Sequence, residues 1–150
     1  MSNSYTVQGG VNVDDRGAVR FVNSFDMAAV RRFYQVENHA PGFVRAWHGH
    51  RHEAKYAYVV RGTARIATMP MSKYGQNEYE NIYDGLQSFV LSDKNPQVLV
   101  IPPGHWNGVQ TLEADTVVMF FSTKTLLESK GDDYRMGIDP TKGVWDIEER

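Results

Sequence analysis

The amino-acid sequence predicts an all-β domain, a sandwich or closed barrel, on three observations. Short runs rich in valine, tyrosine, phenylalanine and threonine recur along the chain, and such residues suit a pleated, half-buried surface. Turn residues separate these runs at close spacing, the pattern of sandwiches and barrels. Only two brief stretches, 26–32 and 123–130, have helical character.

In chain order the expected strands are 18–23, 32–37, 43–48, 54–60, 63–68, 88–92, 97–101, 108–112 and 116–122. Ser24 or Asp26 is a possible cap for the first helical stretch. Arg61-Gly62, between two β-type runs, reads as a tight hairpin. The segment 71–85 is polar and lacks a clear period, so it reads as a surface excursion. Its three tyrosines could also stack on a base. After Ser122 the strand pattern stops, and 123–150 is expected to pack across the barrel through Ile138, Val144 and Trp145.

Composition narrows the function. At 150 residues the chain is expected to form one domain. Its net charge of -2 gives no electrostatic case for nucleic acid or an anionic membrane. With no cysteine, thiolate metal sites and thiol nucleophiles are excluded. The start of the chain lacks the basic and apolar regions of a signal peptide, and no apolar run reaches the roughly 20 residues of a membrane helix. A soluble, cytoplasmic protein is the expectation.

The stretch 42–62 carries the chemistry. Gly42 is followed by five residues, then His48 and His50 with one between them; four more lead to Lys55, and six more to Gly62. This resembles the first signature of the cupin superfamily, G-x5-H-x-H-x4-E-x6-G, with lysine in place of the glutamate ligand. Strand alternation puts His48 and His50 on one face. In metal-binding cupins these two histidines, the glutamate and a later histidine hold a transition metal. Here the second signature reads Pro102-Pro103-Gly104-His105-Trp106-Asn107, with asparagine at the last ligand. A divalent ion about 4 Å from an ammonium, at an effective dielectric of about 20, is repelled by roughly 8 kcal/mol. A metal-free site is therefore expected, although His52, Glu53 or His105 could supply other ligands. Without a metal, imidazoles beside an ammonium suit removal of a proton α to a ketone: histidine moves the proton and the cation stabilises the enolate.

Further pieces of the chain resemble the metal-free nucleotide-sugar cupins, the dTDP-4-dehydrorhamnose 3,5-epimerases and the dTDP-sugar 3,4-ketoisomerases. They are Asp15-Arg16-Gly17, Arg45-Ala46-Trp47-His48, Glu53-Ala54-Lys55 with Val60-Arg61-Gly62, Val100-Ile101-Pro102-Pro103-Gly104, and Gly137-Ile138-Asp139-Pro140 followed by Trp145. The resemblance implies a cupin-type double-stranded β-helix, or jelly-roll barrel, with a short C-terminal helical tail. Within it, 1–41 would form N-terminal strands and a dimer arm, 42–122 the barrel core and 123–150 the tail. It implies a homodimer exchanging N-terminal strands, a nucleotide-linked sugar substrate and no cofactor.

In the epimerase reading, His48 is the general base, Lys55 the enolate-stabilising cation and Asp139 the carboxylate that orients His48. Arg16 and Arg45 contact the diphosphate, and Asn107 and His105 are further substrate contacts. Strict alternation separates Arg45 from His48, so their joint use requires a bulge or a position at the rim. The epimerase general-acid tyrosine falls near Phe120 or Phe121, which cannot donate a proton. The alternative is a 3,4-ketoisomerase, in which His48 and His50 relay protons through an enediol with Tyr34 assisting. Lys55 and Asp139 favour the first reading; Tyr34 and His50 favour the second. A metal-dependent cupin and a non-catalytic sugar-binding domain are the remaining classes.

Overall fold

The computed structural model describes residues 3–71 and 83–150. The strands are β1 (Tyr5–Gln8), β2 (Gly10–Asp14), β3 (Gly17–Phe21), β4 (Arg32–Val36), β5 (Val44–His50), β6 (Lys55–Arg61), β7 (Thr63–Pro70), β8 (Gln87–Ser92), β9 (Gln97–Ile101), β10 (His105–Thr111), β11 (Val117–Ser122) and β12 (Tyr134–Arg135). One helix, α1 (Leu126–Lys130), follows β11. Two five-stranded antiparallel sheets form the barrel, in the orders β1-β9-β6-β11-β4 and β12-β5-β10-β7-β8, while β2 and β3 pair only with each other. The barrel thus draws β1 and β4 from the part of the chain before Gly42.

Period-two patterning explains how the sheets face each other. In β6, Lys55, Ala57 and Val59 are buried, while Tyr56 and Tyr58 between them are partly exposed. β11 alternates in the same way and turns Val118 and Phe120 inward. These side chains meet Ile66, Leu91, Leu99, Ile101 and Val109 in the core between the sheets. All seven residues of β10 are buried, because the strand is covered on both faces. Outside it lies a second cluster built on Trp47, Met69 and Trp106, against which Met136, Val144 and Trp145 of the tail pack. Burying an indole of roughly 200 Å² at about 25 cal/mol/Å² contributes up to about 5 kcal/mol, which is how Trp145 holds the tail down. Ile138, expected to anchor beside it, is instead 43% exposed.

Three other expectations change. Residues 26–32 form no helix: Asp26 accepts a hydrogen bond from the Ala28 amide in a local turn, and Arg32 already opens β4. That competing side-chain bond is why Asp favours turns over helix interiors. Arg61-Gly62 is a corner between the two sheets rather than a hairpin, since β6 and β7 lie in different sheets. Gly62 has φ +82°, and a Cβ there would lie 2.3 Å from Thr116 Oγ1, so the corner requires glycine. In the region 123–130 only Leu126–Lys130 is helical, with Thr125 and Glu128 forming a reciprocal capping box. Of the three tyrosines in 71–85, Tyr74 and Tyr79 lie outside the described residues. Tyr83 packs edge-on against Trp47.

Candidate active site

A cleft of about 440 Å³ opens at one end of the barrel, a size ordinary for small-molecule sites. Each sheet supplies part of it. From the first sheet come Arg32 and Tyr34 on β4, Lys55 on β6 and Phe120 on β11; from the second come Arg45, His48 and His50 on β5 and Asn107 on β10. The segment after β11 closes one side with Ser129, Lys130, Asp133 and Arg135.

Arg45 and His48 share this cleft because β5 carries a bulge. His48 is opposite Asn107 and Arg45 opposite Val109, so Ala46 and Trp47 together face the single residue Gly108. The extra residue resets the alternation. Gly108 is the residue that fits there: an added Cβ would stand 2.6 Å from Ala46 Cβ and 2.7 Å from the Trp145 ring.

His48 is half-buried, and burial, with the cations Arg135 and Lys55, pushes its pKa below the usual histidine value. It is therefore neutral at pH 7 and able to accept a proton. Lys55 is only 7% exposed, and its Nζ donates to the Tyr34 hydroxyl at 2.7 Å. Among the described residues no carboxylate lies within 4.0 Å of that ammonium, so its charge is left for an incoming oxyanion. Tyr34 stacks on Phe120, its neighbour across the β4–β11 ladder, at 5.4 Å. A phenol therefore stands beside Phe120, on the adjacent strand.

His50 is buried. Its Nδ1 is 2.6 Å from the Asp132 carbonyl oxygen and 3.0 Å from Glu53 Oε2. Both are acceptors, so Nδ1 carries a proton, while Nε2 has no partner among the described residues. Glu53 is 2% exposed. Burial pushes its pKa up, but hydrogen bonds from His50, Ser122 and Ser129 outweigh that and hold it near 2. Arg32 completes the set, donating to Glu53 Oε1 at 3.2 Å while lying over the Tyr34 ring.

Five cations, Arg32, Arg45, Lys55, Lys130 and Arg135, line the cleft against the single acidic lining residue Asp133. Arg45 is held by neutral acceptors, Asn38 Oδ1 at 2.7 Å and the Glu37 carbonyl, so its charge is uncompensated. The cleft is an anion site by composition.

Three sequence-predicted residues lie elsewhere. Asp139 is half-buried outside the cleft and caps the 3₁₀ turn Pro140–Lys142, accepting from the Thr141 amide and hydroxyl at 2.9 and 2.7 Å. The expected Asp139–His48 pair is not formed. Arg16 is at the tip of the β2–β3 hairpin, 86% exposed and paired with Asp14 at 2.6 Å, away from the cleft. His105 is buried at the Pro102-Pro103 turn, its Nδ1 3.1 and 3.2 Å from the carbonyl oxygens of those prolines. Asn107 does reach the cleft and donates to the His48 carbonyl at 3.2 Å.

No family model and no curated protein matches the chain. Solved structures do. An RmlC epimerase of Mycobacterium tuberculosis aligns with TM-score 0.71 and 18% identity over 97% of this chain and 74% of its own. A double mutant of a 3'-monoepimerase from Streptomyces bikiniensis, in complex with dTDP, aligns with TM-score 0.73 and 14% identity over 99% and 75%. A sugar 3,4-ketoisomerase from Thermoanaerobacterium thermosaccharolyticum, in complex with TDP, aligns with TM-score 0.65 and 15% identity over 95% and 92%. The fold is the cupin β-helix. In that fold the cleft is lined from β4, β5, β6, β10 and β11 and from the segment after β11, and among the described residues no helix is long and apolar enough to cross a membrane.

Proposed function

We propose that the chain is an isomerase of a nucleotide-diphospho-4-keto-6-deoxysugar, acting by proton transfer next to the ketone. The observation that carries this is the buried Lys55 ammonium, bonded to Tyr34 and sharing one cleft with the imidazoles of His48 and His50. The sugar sits over this group while the diphosphate takes Arg45 and the cations at the rim. An imidazole removes the proton from the carbon beside the ketone, and Lys55 with Tyr34 stabilises the charge that develops on oxygen.

The arrangement best supports 3,4-ketoisomerisation. One histidine takes the C3 proton and the C4 oxygen is protonated, giving an enediol. The C3 hydroxyl then gives up its proton as C4 carbon receives one, leaving a 3-ketone. Two histidines on one face and a phenol at hydrogen-bonding distance from the lysine suit this relay. Epimerisation at C3 or C5 is the second reading, favoured by Lys55 itself; the position of Asp139 outside the cleft removes its other support.

Incubation with dTDP-4-keto-6-deoxyglucose in deuterated water, followed by NMR, tests both readings. A 3-keto product is expected. Deuterium at C3 or C5 with the ketone still at C4 would assign epimerisation, and no exchange with this substrate would reject both.

The reading includes a homodimer. It is supported by the outer face of the first sheet, where Phe25 packs on Tyr56 and Phe121 while Phe33 is 65%, Tyr5 54% and Val60 42% exposed. It also gives Arg16 a use, because its hairpin could serve only another copy's cleft. Sedimentation equilibrium decides the point. A cytoplasmic setting, which the cysteine-free composition suits, completes the proposal.

A further inference from the structure

Glu53 has no role in the proton relay just described, yet it is the most completely enclosed charge in the molecule's working end. Its side chain is fully removed from solvent, and every group around it points to one task. Ser122 donates to Oε1, Ser129 donates to Oε2 at 2.9 Å, and Arg32 reaches Oε1 at 3.2 Å. With His50 Nδ1 3.0 Å from Oε2, the carboxylate has four donors drawn from β4, β5, β11 and α1. On the far side of the imidazole, His50 Nε2 is buried at the cleft with no partner among the described residues.

The alternative is a carboxylate that simply holds α1 to the barrel. Ser129 and Arg32 would suffice for that. Placing the carboxylate against the ring nitrogen that faces away from the cleft does something else. Together with the Asp132 carbonyl oxygen, 2.6 Å from the same nitrogen, it keeps a proton on Nδ1, and of the two it alone provides a counter-charge when the ring becomes an imidazolium. Its own pKa, held near 2, keeps it charged throughout the working range.

Resting on the isomerase reading above, we infer that Glu53 is the positioning carboxylate of His50, forming a buried His–Glu pair that makes His50 Nε2 a proton acceptor in the cleft. Through Arg32, the same carboxylate joins this pair to the Tyr34–Lys55 pair. Arg32 touches Glu53 at one end and the Tyr34 ring at the other.

The test compares Glu53→Gln with the wild-type chain, using the deuterium-exchange assay at saturating substrate and dTDP affinity by calorimetry. Loss of the charge is expected to slow exchange by about 10²-fold or more, with dTDP affinity unchanged within about two-fold. Exchange at the wild-type rate would overturn the inference. So would a loss of dTDP affinity in step with the rate, which marks a scaffold. If Glu53→Gln does not fold, Glu53→Asp takes its place, keeping the charge but withdrawing it by one methylene. It should also slow exchange at unchanged affinity, and a wild-type rate would again overturn the inference.

A direct probe separates this inference from the substrate reading. Nitrogen-15 NMR of the substrate-free protein should show His50 with Nδ1 protonated and a far-downfield Nδ1 proton that moves upfield in Glu53→Gln or Glu53→Asp. An unshifted proton would end the inference even if the enzyme turns over. A shifted one supports it even if dTDP-4-keto-6-deoxyglucose is not the substrate.

Discussion

Glu53 is fully enclosed behind the cleft-lining His50, whereas Asp139 is only half-buried, on the C-terminal turn and outside the cleft. Both carboxylates are held below their ordinary pKa range by hydrogen bonds. Asp139 takes its bonds from Thr141, two residues away, and Glu53 takes its bonds from three separate elements and a histidine. A local motif can therefore hold a carboxylate ionised without giving it anything to act on. Only the enclosed one stands beside a ring that lines the cleft. The contrast also explains why a resemblance in the last thirty residues is a poor guide to which acid orients which base.

The contrast breaks most visibly in stability. Glu53→Ala leaves Arg32 and His50 facing an empty buried site, and about 3–5 kcal/mol of unfolding free energy should be lost in urea titrations. Asp139→Ala removes only the cap of a three-residue turn and should lower Tm by about 2–3 °C. Equal losses would erase the distinction.

Rates come next. Lys55→Met removes the charge that meets the developing oxyanion, and exchange should fall by about 10²–10³-fold. Asp139→Asn should leave it within about two-fold, since the residue lies outside the cleft. A large effect at Asp139 would restore it to the machinery and reverse the assignment.

Acid titration sharpens the same comparison. A carboxylate whose native pKa is lowered from 4.5 to about 2 adds stability above pH 4.5, and that stability is lost as pH falls through that window. The Tm of the wild-type chain should drop steeply there, and Glu53→Gln should flatten the drop. Because the native pKa of His48 also lies below 6.5, a catalytic His48 should keep its proton-accepting form, and the exchange rate its plateau, below that pH. A rate already halved at pH 6.5 would remove His48 as the base. The smallest effect is expected for Arg16→Ala, which should leave dTDP affinity unchanged under dilute, monomeric conditions.

Much of this was legible in the residues. The alternation in 54–60 and 116–122 gave the inner faces that became the barrel core, and the H-x-H spacing put His48 and His50 into one cleft, as expected. Lys55 faces inward as its position in the signature implied. The bulge was anticipated only as one of two ways to bring Arg45 and His48 together, because an extra residue in a strand leaves no composition signal. Its trace is Gly108 across the ladder, recognisable only once the pairing is known. Arg32 was overlooked although it lies two residues before Tyr34 and so shares its face. Asp133 and Arg135 had no periodic signal at all; they reach the cleft because β12 pairs with β5, a contact between residues more than eighty positions apart. β1 and β2 were missed because their exposed, polar residues look like a loop.

The doubled residue at Ala46-Trp47 has one more consequence. It divides β5 into an arm ending in a guanidinium and a core carrying two imidazoles. A one-residue deletion there would swing the guanidinium to the opposite side of the sheet while the ring pair kept its place. Grip on the leaving end of a ligand and reactivity at its ring can thus drift apart in descendants of this chain, one hinge position setting the first and the paired strands preserving the second.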